Sequence, residues 1–460
     1  MFDLLKIKKG GTEEERARLI AARSIQVEDD GLEDKYKLVY WIYFIYGIAM
    51  LLPWNVFITA SEYFARRFAA TPYEEKFQNY FSTYFTITNL LTFVLILYMQ
   101  NKETCKSAYH VDSFISILIN TIVFGILAVT VETQIGGSGY FWFIMALIVL
   151  TGATTSFFQN SVFSEASQLP PMYMQAVLSG QGIAGVIVAV SSILSALAGN
   201  TNDTPDESSI SRSAFLYFLS AFLITAAALV GRIVVVRLPF YRRQMNARNE
   251  VIRVEEEILE EQQHPVDRAP VNIMSIVRKS SGLIFTVGYI FIITLMLFPS
   301  VTALIKSVRR PESNVSKKGG RFFDDDIFVA FHFLLFNVGD WVGRMMPVSS
   351  IFQIFQVKYL VLLSTLRSVF IPLFLVCNVI VSEQRRLPVL INSDFVYFIL
   401  IWIFAVSNGW ICSLAMMAAP QLESIKSAHE KSLVGSVMSF SLVVGLAIGG
   451  SLSFIARWMV

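Results

Sequence analysis

The chain has 460 residues, 54% of them hydrophobic and 16% charged, with a formal net charge of +2. A soluble domain is nearer about a quarter charged, and so small a net charge gives no field for holding nucleic acid. Cys105, Cys377 and Cys412 are scattered, and His110, His264, His332 and His429 are far apart. They match neither a disulfide framework nor a metal-ligand spacing, so no metal and no cofactor is expected.

The apolar residues arrive in blocks of about 20, enough to span a hydrocarbon core. A β-barrel would alternate in shorter segments. The fold class is therefore an all-α polytopic membrane protein. Residues 1–36 read as a polar cytoplasmic tail with no cleaved signal peptide, leaving the first span to direct insertion. Glu15 stands four residues before Leu19 and Ile20, an acidic-dileucine pattern of the kind sorting adaptors read. It points to endosomal, lysosomal or vacuolar membranes, against the plasma membrane as default; a charged helix matches the same pattern by chance.

Eleven spans are expected. Six lie at about 38–60, 80–100, 112–132, 140–163, 173–199 and 213–236, and five at about 281–304, 328–347, 359–382, 394–418 and 432–456. Pro53 interrupts the first and frees a backbone carbonyl. The fifth opens with Ser179 to Gly185, whose Gly182 and Gly185 allow close helix approach. The hydrophilic stretch 240–280 is a cytoplasmic linker, so residues 37–239 form a six-helix bundle and 281–460 a five-helix bundle. Such a division suits a transporter that binds substrate between two bundles. The segments on the same membrane face as the N-terminus hold the larger share of Lys and Arg, with the basic 305–325 loop running against the trend. The positive-inside rule then makes the N-terminus cytoplasmic and the C-terminus extracytoplasmic. The glycosylation sequons at Asn202 and Asn314 fall in outer loops.

The eighth span carries the costliest residues. Asp340 and Arg344 are four apart and share a helix face with Phe333 and Asn337. An ionisable side chain inside the membrane usually faces a protein interior or a water-filled cavity. Two readings stand: an ion pair that only locks helix packing, or a grip on two vicinal hydroxyls, the carboxylate accepting and the guanidinium donating. Gln159 offers a donor and an acceptor to the edge of a heterocyclic base, or bonds another helix. Trp54 offers a ring for stacking, or an interfacial anchor. Asn89 lines a cavity or bridges helices, and Arg367 reads as structural. No zinc-protease helix, intramembrane aspartyl pair, nucleophile elbow or phosphate-binding loop appears, so an enzyme is not expected.

Several separated motifs then act together. They are Leu51-Leu52-Pro53-Trp54-Asn55 with Phe57 to Ala60; Ser179 to Gly185; Phe298-Pro299; Asn337, Asp340-Trp341 and Gly343-Arg344; Arg367, Phe370, Pro372 and Cys377-Asn378; Ser407-Asn408-Gly409; and Gly445 to Gly449. In this order the chain resembles the equilibrative nucleoside transporters (solute carrier family 29) over nearly its whole length. The resemblance implies a major-facilitator-like fold of six plus five helices that moves nucleosides, and in some cases nucleobases, by alternating access. It implies ribose contacts for Asp340 and Arg344, a base contact for Gln159, and a cavity lined by Trp54 with Leu51, Asn55 and Ile58 nearby, while Asn89 departs from the family near a place often held by an apolar residue. Phe298, Phe333, Asn337 and Leu446 match further cavity positions. Ile58 stands where some members have Met. Glu62 is an acidic residue of a kind that supports proton coupling, or a solvated helix end. A proton-coupled symporter and a non-transporting receptor or scaffold are the alternatives.

Overall fold

The computed structural model describes residues 33–459 except 70, 75, 102–112, 134, 199–206, 246–272, 310–320, 381–387 and 426. The sorting pattern at Glu15, Leu19 and Ile20, the sequons at Asn202 and Asn314, and most of the 240–280 linker lie outside the described residues.

The main helices are α1 (Leu38–Thr59), α2 (Phe77–Asn101), α3 (Ser113–Glu132), α4 (Gly137–Ala166), α5 (Pro171–Ala198) and α6 (Glu207–Val235), then α7 (Ser281–Leu297), α8 (Asp325–Met345), α9 (Val357–Leu375), α10 (Asp394–Ala418) and α11 (Ala428–Trp458). Two isolated β-bridges order the connections: Ile305 with Val379 ties the chain beyond α7 to that beyond α9, and Cys377 with Ile391 closes the segment between α9 and α10. Local chemistry sets several ends. The Asp34 carboxylate accepts from the amides of Val39 and Tyr40, both at 3.0 Å, satisfying donors that the first turn of α1 leaves free. Ser427 and Glu430 form a capping box at the start of α11.

Prolines mark where the expected spans and the observed helices differ. α7 stops at Leu297 rather than running on to 304, and Phe298 is extended. A residue before proline is pushed out of the helical region, and Pro299 has no amide to continue the ladder. α9 ends at Leu375 and tightens to a 3-10 turn at Arg367–Val369. Pro372 cannot donate to the Ser368 carbonyl four residues back, so the turn before it reorganises. α1 passes through Pro53 as one helix.

Ten helices among the described residues are long and apolar enough to cross a membrane, one fewer than expected. The exception is α8, whose 21 residues would reach about 30 Å but include His332, Asn337, Asp340 and Arg344. Arg344 stands in the last turn of α8. Neighbouring helices bury it, leaving it 5% exposed.

α1 packs on α5 and α6, α2 on α4, and α3 on α4 and α6. α7 packs on α9, α10 and α11, and α8 on α10. Between these groups α8 lies on α5, and α11 on α4 and α2. Lipid gives no hydrophobic drive for helices to associate, so close backbone approach matters. A Cβ built on Gly47 would stand 2.0 Å from the Val177 carbonyl oxygen, and one on Gly409 2.0 Å from that of Asp340. The outer surface carries exposed Leu91, Val129, Trp142, Leu366 and Phe395. An apolar exterior of this extent suits hydrocarbon rather than water, and the protein is a multi-pass membrane protein.

Candidate functional site

Helical spacing brings Asp340 and Arg344 together: Arg344 Nε donates to Asp340 Oδ2 at 2.8 Å. Both are buried, at 8% and 5% exposure. Each is also held from another helix. Asn408 Nδ2 on α10 donates to Asp340 Oδ1 at 2.6 Å. Arg344 Nη1 donates to α5, at 3.2 Å to the Leu178 carbonyl and 3.4 Å to Gln181 Oε1. Among the described residues no hydrogen bond leaves Arg344 Nη2. The pair thus keeps guanidinium donors, and carboxylate lone pairs beyond the two in use, available to a small polar molecule.

Behind Asn408 lies a second buried guanidinium. Arg367, 2% exposed, donates through Nη1 to the Phe404 carbonyl at 2.8 Å and to Ser407 Oγ, and through Nη2 to Thr294 Oγ1 at 2.9 Å. Thr294 donates to Asn408 Oδ1 at 2.6 Å. The Phe404 ring centroid is 4.6 Å from the Arg367 guanidinium carbon. Among the described residues Arg367 has no ion-pair partner. Its charge is met by oxygen dipoles and a ring face, so the structural reading of Arg367 fits its surroundings.

The expected stripe on α8 continues above the pair. Asn337 Nδ2 donates to the Phe333 carbonyl at 2.8 Å. Phe298 stacks on Phe336 with centroids 3.9 Å apart and meets Phe333 edge-on at 4.8 Å. On α1, Leu51, Trp54 and Asn55 are half-buried and Ile58 is 52% exposed. Trp54 stacks on Phe85 of α2, centroids 4.9 Å apart. Gln159, buried on α4, donates to Ser439 of α11 at 3.0 Å, the interhelical bond that was one of its two readings. Asn89 is likewise used between helices, its amide donating to the Gly152 carbonyl of α4 at 3.4 Å. Leu446 is partly buried on α11 against the main core. Glu62 is exposed in the first turn of the short helix Ser61–Arg67.

Gly182 and Gly185 are the reason α5 can lie so close to the stripe. A Cβ on Gly182 would stand 3.0 Å from Arg344 Cδ and 3.1 Å from Trp341 Cα, and one on Gly185 2.3 Å from Asn337 Oδ1. Sequence reasoning missed the partners that fix the pair, Asn408 and Gln181, although both stand in motifs it quoted. It also missed a buried ion pair inside the α1–α6 group: Arg232 Nη1 lies 2.9 Å from Glu165 Oε2, which also accepts from Tyr43 at 3.2 Å and Tyr241 at 3.0 Å. The signal was present as opposite charges near the ends of two apolar blocks. Burial, and then the Glu165 carboxylate, hold the Tyr241 phenol above its ordinary range. Among the described residues no cluster of His, Cys, Asp and Glu has the geometry to hold a metal ion.

A polar pair enclosed between two packed helix groups is the arrangement required of a transporter that binds its substrate between bundles. The fold is that of the major facilitator superfamily: the proton:xylose symporter XylE superposes with a TM-score of 0.50 at 11% identity, over 92% of this chain and 93% of that one. The family model described as nucleoside transporter matches residues 145–458, and the chain belongs to that family, one of transporters rather than enzymes. Among its relatives, human equilibrative nucleoside transporter 1 is 29% identical over 93% of this chain and 98% of its own length. Human equilibrative nucleoside transporter 2 is 29% identical with the same coverage.

Proposed function

We propose that the protein is a facilitative nucleoside carrier in which helices α1–α6 and α7–α11 rock against each other. In this reading α8 is an eleventh span, residues 240–280 connect the two bundles, and the N-terminus is cytoplasmic with the C-terminus on the opposite face. Asp340 and Arg344 hold the ribose hydroxyls. Trp54 and Gln159 hold the base, with Leu51, Asn55, Ile58, Phe298, Phe333, Asn337 and Leu446 along the walls. Asn89 serves as a tie between α2 and α4. The resting form has its cavity closed at the end where α1 begins. That reading is supported by the hydrogen bonds joining the two groups, which among the described residues cluster toward that end: Gln175 to Arg344, Ser167 to Lys431, Ser164 to Ser432 and Gln100 to Ser436.

One observation carries the ribose assignment. The buried pair is fixed from both sides by Asn408 and α5 and yet retains the Arg344 Nη2 donors. Donors left over at a buried charge are what a bound polar molecule would satisfy, since buried charge without full bonding is costly. A guanidinium and a carboxylate side by side complement two neighbouring hydroxyls, each of which donates and accepts.

Uptake of labelled adenosine and uridine into proteoliposomes tests this. Saturable uptake is expected, and Asp340→Ala should lower it at least about 100-fold, since each hydrogen bond to a charged group contributes about 1.5–3 kcal/mol. Absence of uptake for every nucleoside would overturn the function. Undiminished uptake by Asp340→Ala would overturn the site.

A further inference from the structure

Arg344 takes part in two structures at once. On its own helix it pairs with Asp340, and across the gap it donates to α5, at the Leu178 carbonyl and Gln181 Oε1. The Leu178 carbonyl belongs to the backbone of α5. Gln181 is different: it is a buried side chain whose other end, Nε2, reaches only the Met50 sulfur of α1 among the described residues, at 3.2 Å. Thioether sulfur is a weak acceptor. Gln181 therefore depends on Arg344 for a strong partner. A second glutamine stands beside it. Gln175 Nε2 lies 3.4 Å from the Arg344 carbonyl, but it also donates to Ser179 Oγ at 2.7 Å, and its Oε1 accepts from Tyr40. Gln175 stays bonded if α5 and α8 separate; Gln181 does not.

We infer that Gln181 is a positioning residue that couples occupancy of the Asp340–Arg344 pair to the parting of α5 from α8. This rests on the carrier reading above. A ligand shifts a conformational equilibrium only through interactions that differ between the two states. With the site empty, parting the seam removes two acceptors from a buried guanidinium and strands the Gln181 carboxamide. With a nucleoside bound, sugar hydroxyls supply the guanidinium with replacement acceptors, and parting costs less. Gln181 thus holds the empty carrier closed at the end where α1 begins and lets the loaded carrier move.

The test is a distance across the seam that needs no transport. Met172 at the start of α5 and Val348 just past α8 are exposed on either side of it. Spin labels at Met172→Cys and Val348→Cys, in a Cys105→Ser background with the buried Cys377 and Cys412 left in place, report the closed and parted populations in liposomes. Gln181→Leu keeps the volume but not the acceptor, and should raise the parted fraction of the empty protein about fivefold, the worth of roughly one net hydrogen bond. Gln181→Glu, which turns the contact into an ion pair, should lower it. Saturating uridine should part the seam in the unaltered protein and add little in Gln181→Leu. Purely structural damage would move both variants in one direction, so opposite shifts are the signature. Shifts in the same direction, or none in either variant, would overturn the coupling role, as would a tenfold loss of uridine binding in Gln181→Leu with its distances unchanged. Failure of the unaltered protein to take up nucleosides overturns the carrier reading instead, and is read separately.

Discussion

Two arginines are buried among α7–α11, and their surroundings differ in kind. Arg367 is enclosed within that group. Thr294 of α7, Ser407 and the Phe404 carbonyl of α10 accept its donors, and no carboxylate pairs with it among the described residues. Arg344 is at the boundary: it pairs with Asp340 on its own helix and crosses to α5. Asn408 links the two regions, donating to Asp340 while accepting from Thr294. The inner region is built of short contacts within one helix group, as a rigid support requires. The boundary region is built of longer contacts between groups, which can exchange for a ligand. The difference separates what holds the site in shape from what lets it move.

Breaking the inner region should have the largest effect on stability. Arg367→Met retains an unbranched apolar stem but leaves the Phe404 carbonyl, Ser407 and Thr294 short of a donor. The expected loss is about 3 kcal/mol, from several buried groups left unpaired. It is read as a lowered thermal midpoint in detergent, while uridine affinity of the protein that remains folded stays within a few-fold. A large loss of affinity at unchanged stability would instead place Arg367 in the site itself. Disturbing the boundary should cost less and do something different. Gly182→Ala places a methyl group 3.0 Å from Arg344 Cδ and 3.1 Å from Trp341 Cα. One flexible stem can yield, but the α8 backbone cannot, so the helices separate slightly at about 1–2 kcal/mol. The thermal midpoint should fall less than in Arg367→Met, and the spin-label distances across α5 and α8 should lengthen. Unchanged distances with a large drop in stability would erase the distinction between the two regions.

The boundary pair was legible in the sequence because its geometry is local. Two charges four apart in an apolar block must share a helix face whatever surrounds them. Their partners were not legible, because Asn408 reaches Asp340 from 68 positions away and Gln181 reaches Arg344 from 163 positions away. Only packing brings such residues together. The same limit hid the Glu165–Arg232 pair between α4 and α6. Hydropathy continues past Pro299 while the amide ladder of α7 stops at Leu297, whereas α9 runs through Pro372 and ends three residues beyond it at Leu375. For α8, hydropathy and the local charge spacing show a costly helix but not its neighbours: it is the helix that packs on both α5 and α10.

Recognition of the sugar by Asp340 and Arg344 as one unit is the central claim, and substrate hydroxyls are its most direct probe. The measurement is competition by uridine and by 2′,3′-dideoxyuridine against labelled uridine uptake. Removing both hydroxyls would leave the buried carboxylate and guanidinium without their partners. The dideoxy analogue should therefore compete at least about 100-fold less well, and this gap should shrink to a few-fold in Asp340→Asn with whatever uptake remains. Equal competition by the two compounds in the unaltered protein would contradict sugar recognition by the pair.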